Sequence, residues 1–171
     1  MRKRWLGLHV ENEIGVLARI SGLFAGKSYN LDTISIGTTE DTSISRMTIS
    51  LTSDDQTFEQ IKKQLNRSVE VIKVIDLTDR CIRLSEVLFA QIHDCTPQDI
   101  DEAFRFAEVY HLKVIDYEAT GVILEGVGSE AANDAVIKKL ARKFPKRVEI
   151  IWGGSVAVEL LNQGRQRPGP S

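Results

Sequence analysis

Hydrophobic positions in the first half of the chain change period in a fixed order. Leu6, Leu8 and Val10 alternate with Gly7 and His9, the two-residue period of a strand with one buried face. Val16, Leu17, Ile20, Leu23 and Phe24 then share one face of a 3.6-residue period, so a helix starts at Gly15. Alternation returns at Ile34 and Ile36, breaks at the polar run 37–43, and resumes at Met47, Ile49 and Leu51, which predicts two strands joined by a loop. Thr52-Ser53-Asp54-Asp55 carries the short oxygen-bearing side chains that cap a helix start, and Phe58, Ile61 and Leu65 give that helix its apolar face. The β-branched run 69–75 closes the series as a strand. The predicted order is β-α-β-β-α-β.

The second half repeats this order more loosely. Residues 87–92 read as a strand, Thr96-Pro97 caps a helix carrying Ile100, Ala103, Phe104 and Ala107, and Leu112 with Val114 and Val122 with Leu124 mark two strands around Ala119-Thr120-Gly121. Ser129-Glu130 opens a helix with Val136, Leu140 and Phe144, and residues 148–152 form the predicted last strand. The junction falls near Thr78-Asp79-Arg80-Cys81. The expected fold class is therefore α+β, two tandem ferredoxin-like βαββαβ domains at 1–78 and 82–161, each sheet covered by helices on one face. A sheet with an open face or edge wants a partner, so a dimer or larger assembly is expected. The tail 162–171 has no apolar period and is expected to be disordered.

Composition narrows the function. With 42% hydrophobic and 27% charged residues and no apolar run near the roughly 20 residues that span a bilayer, no membrane role is expected. Met1-Arg2-Lys3-Arg4 is basic, but the apolar stretch after it ends at Glu11, too short for a secretory segment, and a cytoplasmic location is expected. A net charge of −2 offers no general attraction to nucleic acid, and Ser45-Arg46-Met47-Thr48-Ile49-Ser50-Leu51 lacks the stacking aromatics of an RNA-binding sheet. Cys81 and Cys95 stand alone, without the spacing of a metal site, and read as reduced core thiols.

Candidate chemistry gathers at the first strand-to-helix turn, Asn12-Glu13-Ile14-Gly15. A helix start presents unpaired N–H groups and a positive dipole end, and Gly15, without a Cβ, lets a carboxylate come close. Asn12 offers an amide that donates and accepts, and Asn30 offers a second at the entrance of the next strand, expected to lie beside the first. Together they suit an α-amino and an α-carboxylate group, with Val10, Ile14, Val16, Leu31 and Ile34 around a modest apolar side chain. The same residues also serve a plain strand-to-helix turn, where Asn caps and Gly relieves strain. Other chemistry is thin: His9, His93 and His111 have no nucleophile at hand, and the glycines of 121–128 lack the Lys and Ser/Thr of a phosphate loop. No acid, base and nucleophile converge as an enzyme requires.

Asn12-Glu13-Ile14-Gly15-Val16-Leu17-Ala18-Arg19-Ile20, Gly22-Leu23-Phe24, Tyr29-Asn30-Leu31, Ser45-Arg46-Met47-Thr48-Ile49 and Glu59-Gln60-Ile61-Lys62-Lys63-Gln64-Leu65 closely resemble the ACT-domain regulatory small subunits of acetohydroxyacid (acetolactate) synthase, with matching spacing as far as Asp76. The resemblance implies an ACT domain at 1–78 and no catalysis or cofactor in this chain. It further implies a homodimer that binds, activates and feedback-regulates a catalytic large subunit using thiamine diphosphate, Mg and FAD. The implied effector is valine, or the related leucine or isoleucine, held at an interface between ACT domains by Asn12, Gly15 and Asn30. Leu112-Lys113-Val114-Ile115-Asp116 and Ser155-Val156-Ala157-Val158 carry the resemblance into the second half. The family's usual Pro is Ile14 here, which bears on the strength of effector binding, while its Arg-Gly is Tyr110-His111 and its Arg-Thr-Gly is Trp152-Gly153-Gly154, which implies weaker activation of the catalytic subunit. The other reading is a stand-alone ACT-repeat amino-acid sensor acting on a different protein.

Overall fold

A computed structural model describes residues 1–26 and 29–161. The chain divides into two compact units, Met1–Arg83 joined by the chain from Ala157 onward, and Leu84–Val156. The expectation for the tail 162–171 lies outside the described residues.

The first unit holds β1 (Arg2–Glu11), α1 (Val16–Ala25), β2 (Leu31–Thr38), β3 (Ile44–Ser53), α2 (Asp55–Leu65) and β4 (Val71–Asp76), with antiparallel strand order β2-β3-β1-β4. The predicted periods place the core. Leu6, Leu8 and Val10 of β1 and Met47, Ile49 and Leu51 of β3 bury against Val16, Ile20 and Phe24 of α1 and Phe58, Ile61 and Leu65 of α2. Asp54 caps α2, its carboxylate accepting the Thr57 N–H at 2.7 Å. Arg4 points to the same side, stacks its guanidinium over the Phe58 ring and pairs with Asp55.

The second unit holds β5 (Ile82–Ile92), α3 (Pro97–Tyr110), β6 (Lys113–Glu118), β7 (Gly121–Gly128), α4 (Glu130–Lys143) and β8 (Val148–Trp152), in the order β6-β7-β5-β8. Thr96 and Asp99 form a reciprocal capping box at the start of α3, and Pro97 supplies a preset φ where its missing N–H costs nothing. Ser129 caps α4. Ala90, Ile92, Val122 and Leu124 face Ala103, Phe106, Ala107, Leu140 and Phe144. Two helices lie on one face of each sheet, so the architecture is the expected α+β pair of ferredoxin-like modules.

Three expectations need correction. Phe104 does not join the core of α3: it is 40% exposed and meets Tyr117 edge-on, while Phe106, about one turn along the helix from Ala103, takes the buried place. Cys95 is buried but Cys81 is exposed, because it stands in the connection before β5 rather than on a core-facing strand position. Residues 148–152 are not the last strand, since β9 (Val156–Glu159) follows and pairs with β5. From Ala157 the chain is back in the first unit. The Ala157 N–H donates to Thr48 Oγ1 at 3.3 Å, its carbonyl accepts from Arg46 Nη2 at 3.0 Å, and the Leu160 N–H donates to the Cys81 carbonyl. Thr48 and Ser50 are buried polar residues on the sheet face opposite the helices, with Ser50 sharing a hydroxyl hydrogen bond with Thr33 at 2.7 Å.

Candidate functional site

The turn between β1 and α1 is built around Gly15, whose φ of 86° lies in the left-handed region open to glycine without strain. A Cβ there would stand 3.2 Å from Arg19 Nη1. No side chain caps α1 and no acidic residue lies in its first turn, so the positive end of the helix is left uncompensated. Asn12 stands exposed beside it, with its amide oriented by two contacts: Nδ2 donates to the Thr42 carbonyl at 2.9 Å and Oδ1 accepts from Ser45 Oγ at 3.0 Å. The Asn12 N–H donates to the Ser43 carbonyl at 2.7 Å. The asparagine thus locks the β2–β3 loop against the helix start, a fixed edge to which an anion can be added.

The apolar residues expected around it separate into two groups. Val10 and Val16 are fully committed to the core, whereas Ile14 projects wholly into solvent and Leu31 and Ile34 are half-buried on β2. Leu17 of α1 and Ile36 of β2 are also exposed, at 43% and 45%. Three large apolar side chains, Ile14, Leu17 and Ile36, therefore remain uncovered in one chain.

Asn30 does not join Asn12. The expectation that β2 lies beside β1 is wrong, because β3 pairs with both and separates them. The helical crossover carries β2 parallel to β1 and leaves a gap of one strand, which the β2–β3 hairpin fills. Register then fixes the heights: Leu31 pairs with Leu51 and Leu51 with Arg4, while Thr38 pairs with Ser45 and Ser45 with Val10. Asn30 precedes the low end and Asn12 follows the high end, roughly 30 Å apart along the strands at about 3.4 Å per residue. Within one chain the two amides cannot hold one amino acid.

His9 lies between Arg46 and Lys73 across its two neighbouring strands. Burial, then the charges of Arg46 and Lys73, push its imidazole below the ordinary histidine value, and its Nδ1 has no partner. These surroundings disfavour its charged form. Among the described residues no group of His, Cys, Asp and Glu is arranged to hold a metal ion, and no helix is long and apolar enough to cross a membrane.

A feature absent from the sequence reading lies on the helical side of the second unit. A cleft of about 490 Å³ between α3 and α4 is lined by Arg105, Phe106, Val109 and Tyr110 from one wall and Lys139, Arg142 and Lys143 from the other. The basic residues at 139, 142 and 143 share one helix face at i, i+3 and i+4, a signal present in the sequence.

Comparison with known proteins follows the same division. Residues 6–73 match the family of AHAS small subunit-like ACT domains, and residues 85–160 match the family of the small subunit of acetolactate synthase. The acetolactate synthase small subunit of Aquifex aeolicus is 39% identical over 140 residues, 82% of this chain and 73% of that protein. The probable acetolactate synthase small subunit of Archaeoglobus fulgidus is 34% identical over 156 residues, 91% of this chain and 96% of that one. The crystal structure of the acetolactate synthase small subunit from Thermotoga maritima superposes with a TM-score of 0.84 at 31% identity, covering 95% of this chain and 99% of that chain. With both halves matched and the likeness running nearly end to end, the chain belongs to the acetolactate synthase small-subunit family, as a non-catalytic subunit in which an ACT domain precedes a second ferredoxin-like module.

Proposed function

We propose that this chain is the regulatory subunit of acetolactate synthase in branched-chain amino-acid biosynthesis. It binds valine, or a close relative, between the ACT domains of two copies and adjusts the thiamine-diphosphate-dependent catalytic subunit. The observation that carries this reading is the register of Asn12 and Asn30. β2 is an edge strand with a free ladder. Antiparallel pairing of two copies along β2 about a two-fold axis sets the start of one β2 beside the end of the other. That brings Asn30 of the partner subunit to the level of Asn12 and the open end of α1, and it covers Ile14 and Ile36. The effector's carboxylate then meets the helix start at Gly15, its amino group meets the amides, and its side chain meets Ile14 with Leu31 and Ile34. Because the site is completed by the partner, ligand binding is coupled to the arrangement of the dimer, and regulation follows if the catalytic subunit prefers one arrangement.

Complementation tests this directly. Asn12→Ala and Asn30→Ala are each expected to abolish or strongly weaken valine binding by calorimetry, whereas the two variants refolded together regain it, because half the sites in each mixed dimer hold both amides. No regained binding in the mixture, or full affinity in either single variant, overturns the shared site. Valine should bind about fifteenfold more tightly than alanine, from two buried carbons at about 0.8 kcal/mol each.

A further inference from the structure

The cleft between α3 and α4 is where charge and apolar surface meet on the second unit. The whole chain carries a net charge of −2, yet here four cations face a single carboxylate, Glu102. Glu102 pairs with Lys143, and Lys139 lies over the Tyr110 ring at 4.4 Å. Arg105 and Arg142, one from each wall, have no hydrogen-bonding or ion-pair partner among the described residues, and both are exposed. Between them the floor is apolar: Phe106 packs against Tyr110 with ring centroids 4.3 Å apart, and Val109 is 65% exposed.

We infer that this cleft docks an acidic amphipathic helix of the catalytic subunit, an inference that rests on the reading of this chain as that enzyme's regulatory subunit. The form of the cleft favours a protein segment over a small anion. No buried polar group converges on one point, as small-ligand sites require, and the charges stand on two solvent-facing walls either side of a hydrophobic floor. Residues 102–110 of α3 span about 12 Å at 1.5 Å per residue, room for a little over two turns of a helix lying along the groove. Apolar residues on such a helix cover Val109, Phe106 and the free edge of Tyr110, and carboxylates on its flanks meet the planar forks of Arg105 and Arg142. Exposed charges of this kind steer encounter and fix register, so binding is sensitive to salt.

The test uses the full chain and the purified catalytic subunit. Affinity is measured by biolayer interferometry at low and moderate salt for the unaltered chain, for R105E/R142E, for Val109→Asp, and for Arg67→Glu as an exposed charge reversal on the other unit. R105E/R142E is expected to weaken the complex at least tenfold and to flatten its salt dependence, Val109→Asp to weaken it by placing a like charge and a polar group on the apolar floor, and Arg67→Glu to leave it unchanged. Thermal melting and the valine response of the isolated chain should be intact in all, since the altered side chains are exposed and make no intrachain pair. A complex of normal affinity and salt dependence with R105E/R142E overturns the cleft as a docking site while leaving the regulatory reading in place. Failure of the unaltered chain to bind the catalytic subunit overturns both. Pyrophosphate binding that is lost in R105E/R142E while catalytic-subunit affinity stays normal assigns the cleft to a small anion and overturns the helix.

Discussion

Asp99 closes the capping box of α3, accepting from Thr96 N–H and Thr96 Oγ1 at 2.9 and 2.8 Å, and accepts from Arg147 Nη1 and Nη2 at 2.9 and 3.3 Å. The Arg147 hydrogen bonds, followed by those from Thr96, hold its carboxyl well below the usual carboxylate range. A folded pKa below the unfolded one means the stabilisation is fully present above the unfolded value near 4 and fades as pH falls through and below it. Asp99→Asn should therefore melt at a lower temperature than the parent at pH 7, with the gap narrowing by pH 3; a gap independent of pH would assign the loss to shape rather than charge. At this scale the sequence was informative wherever a residue acts on its own backbone neighbourhood. The caps at Asp54, Thr96 and Ser129 were readable because a cap and its helix are adjacent in the chain. Arg147 as the partner of Asp99 was not, because forty-eight positions separate them.

Elements were legible through their periods, and the misses share a physical cause. Ile100, Ala103 and Ala107 define a helix face broad enough to accept either Phe104 or Phe106, and the choice is made by the shape of the sheet beneath, which the helix sequence does not contain. β9 escaped notice because Val156 and Val158 are exposed and Ala157 alone points inward, the reverse of the pattern that marks a strand. The adjacency of β1 and β2 failed for a different reason: order along the chain fixes a crossover but not which strand fills the gap it leaves. The strand-to-helix turn at Asn12 to Gly15 was readable, and the separation of Asn12 from Asn30 needed the register. Packing makes a prediction of its own. Leu140 is fully buried in α4 between Phe144 and the second sheet's core, so Leu140→Ala should cost about 2 to 5 kcal/mol in urea denaturation. A cost below 1 kcal/mol would show that α4 is not anchored through this residue.

Taken whole, the molecule joins two modules of one design that have been given different work. On the first, the uncovered groups around the turn before α1 are the edge strand β2, a helix start without a side-chain cap and the apolar side chains Ile14, Leu17 and Ile36, features a second copy could satisfy under the proposed function. On the second, they include a basic cleft with an aromatic floor on the helical side and exposed apolar side chains such as Tyr117, Val127 and Ile151 elsewhere. Saturating valine at a hundred times its Kd should stabilise the chain by about 2.7 kcal/mol, a gain expected to disappear in Asn12→Ala.

The return of the chain at Ala157 also sets a timetable. Strands β1 to β4 leave the ribosome early, but the residue that satisfies the Thr48 hydroxyl and the Arg46 guanidinium is made only after the entire second module has been translated. A nascent first module thus waits with one polar sheet face bare, and the strand at 156–159 acts as a clasp fastened only once the second module has been made. A chain ended at Val156 should keep its helices by circular dichroism yet exchange the β3 amides near Thr48 with deuterium faster than the full chain. Equal exchange would mean the clasp adds nothing to what β1 and β2 already hold.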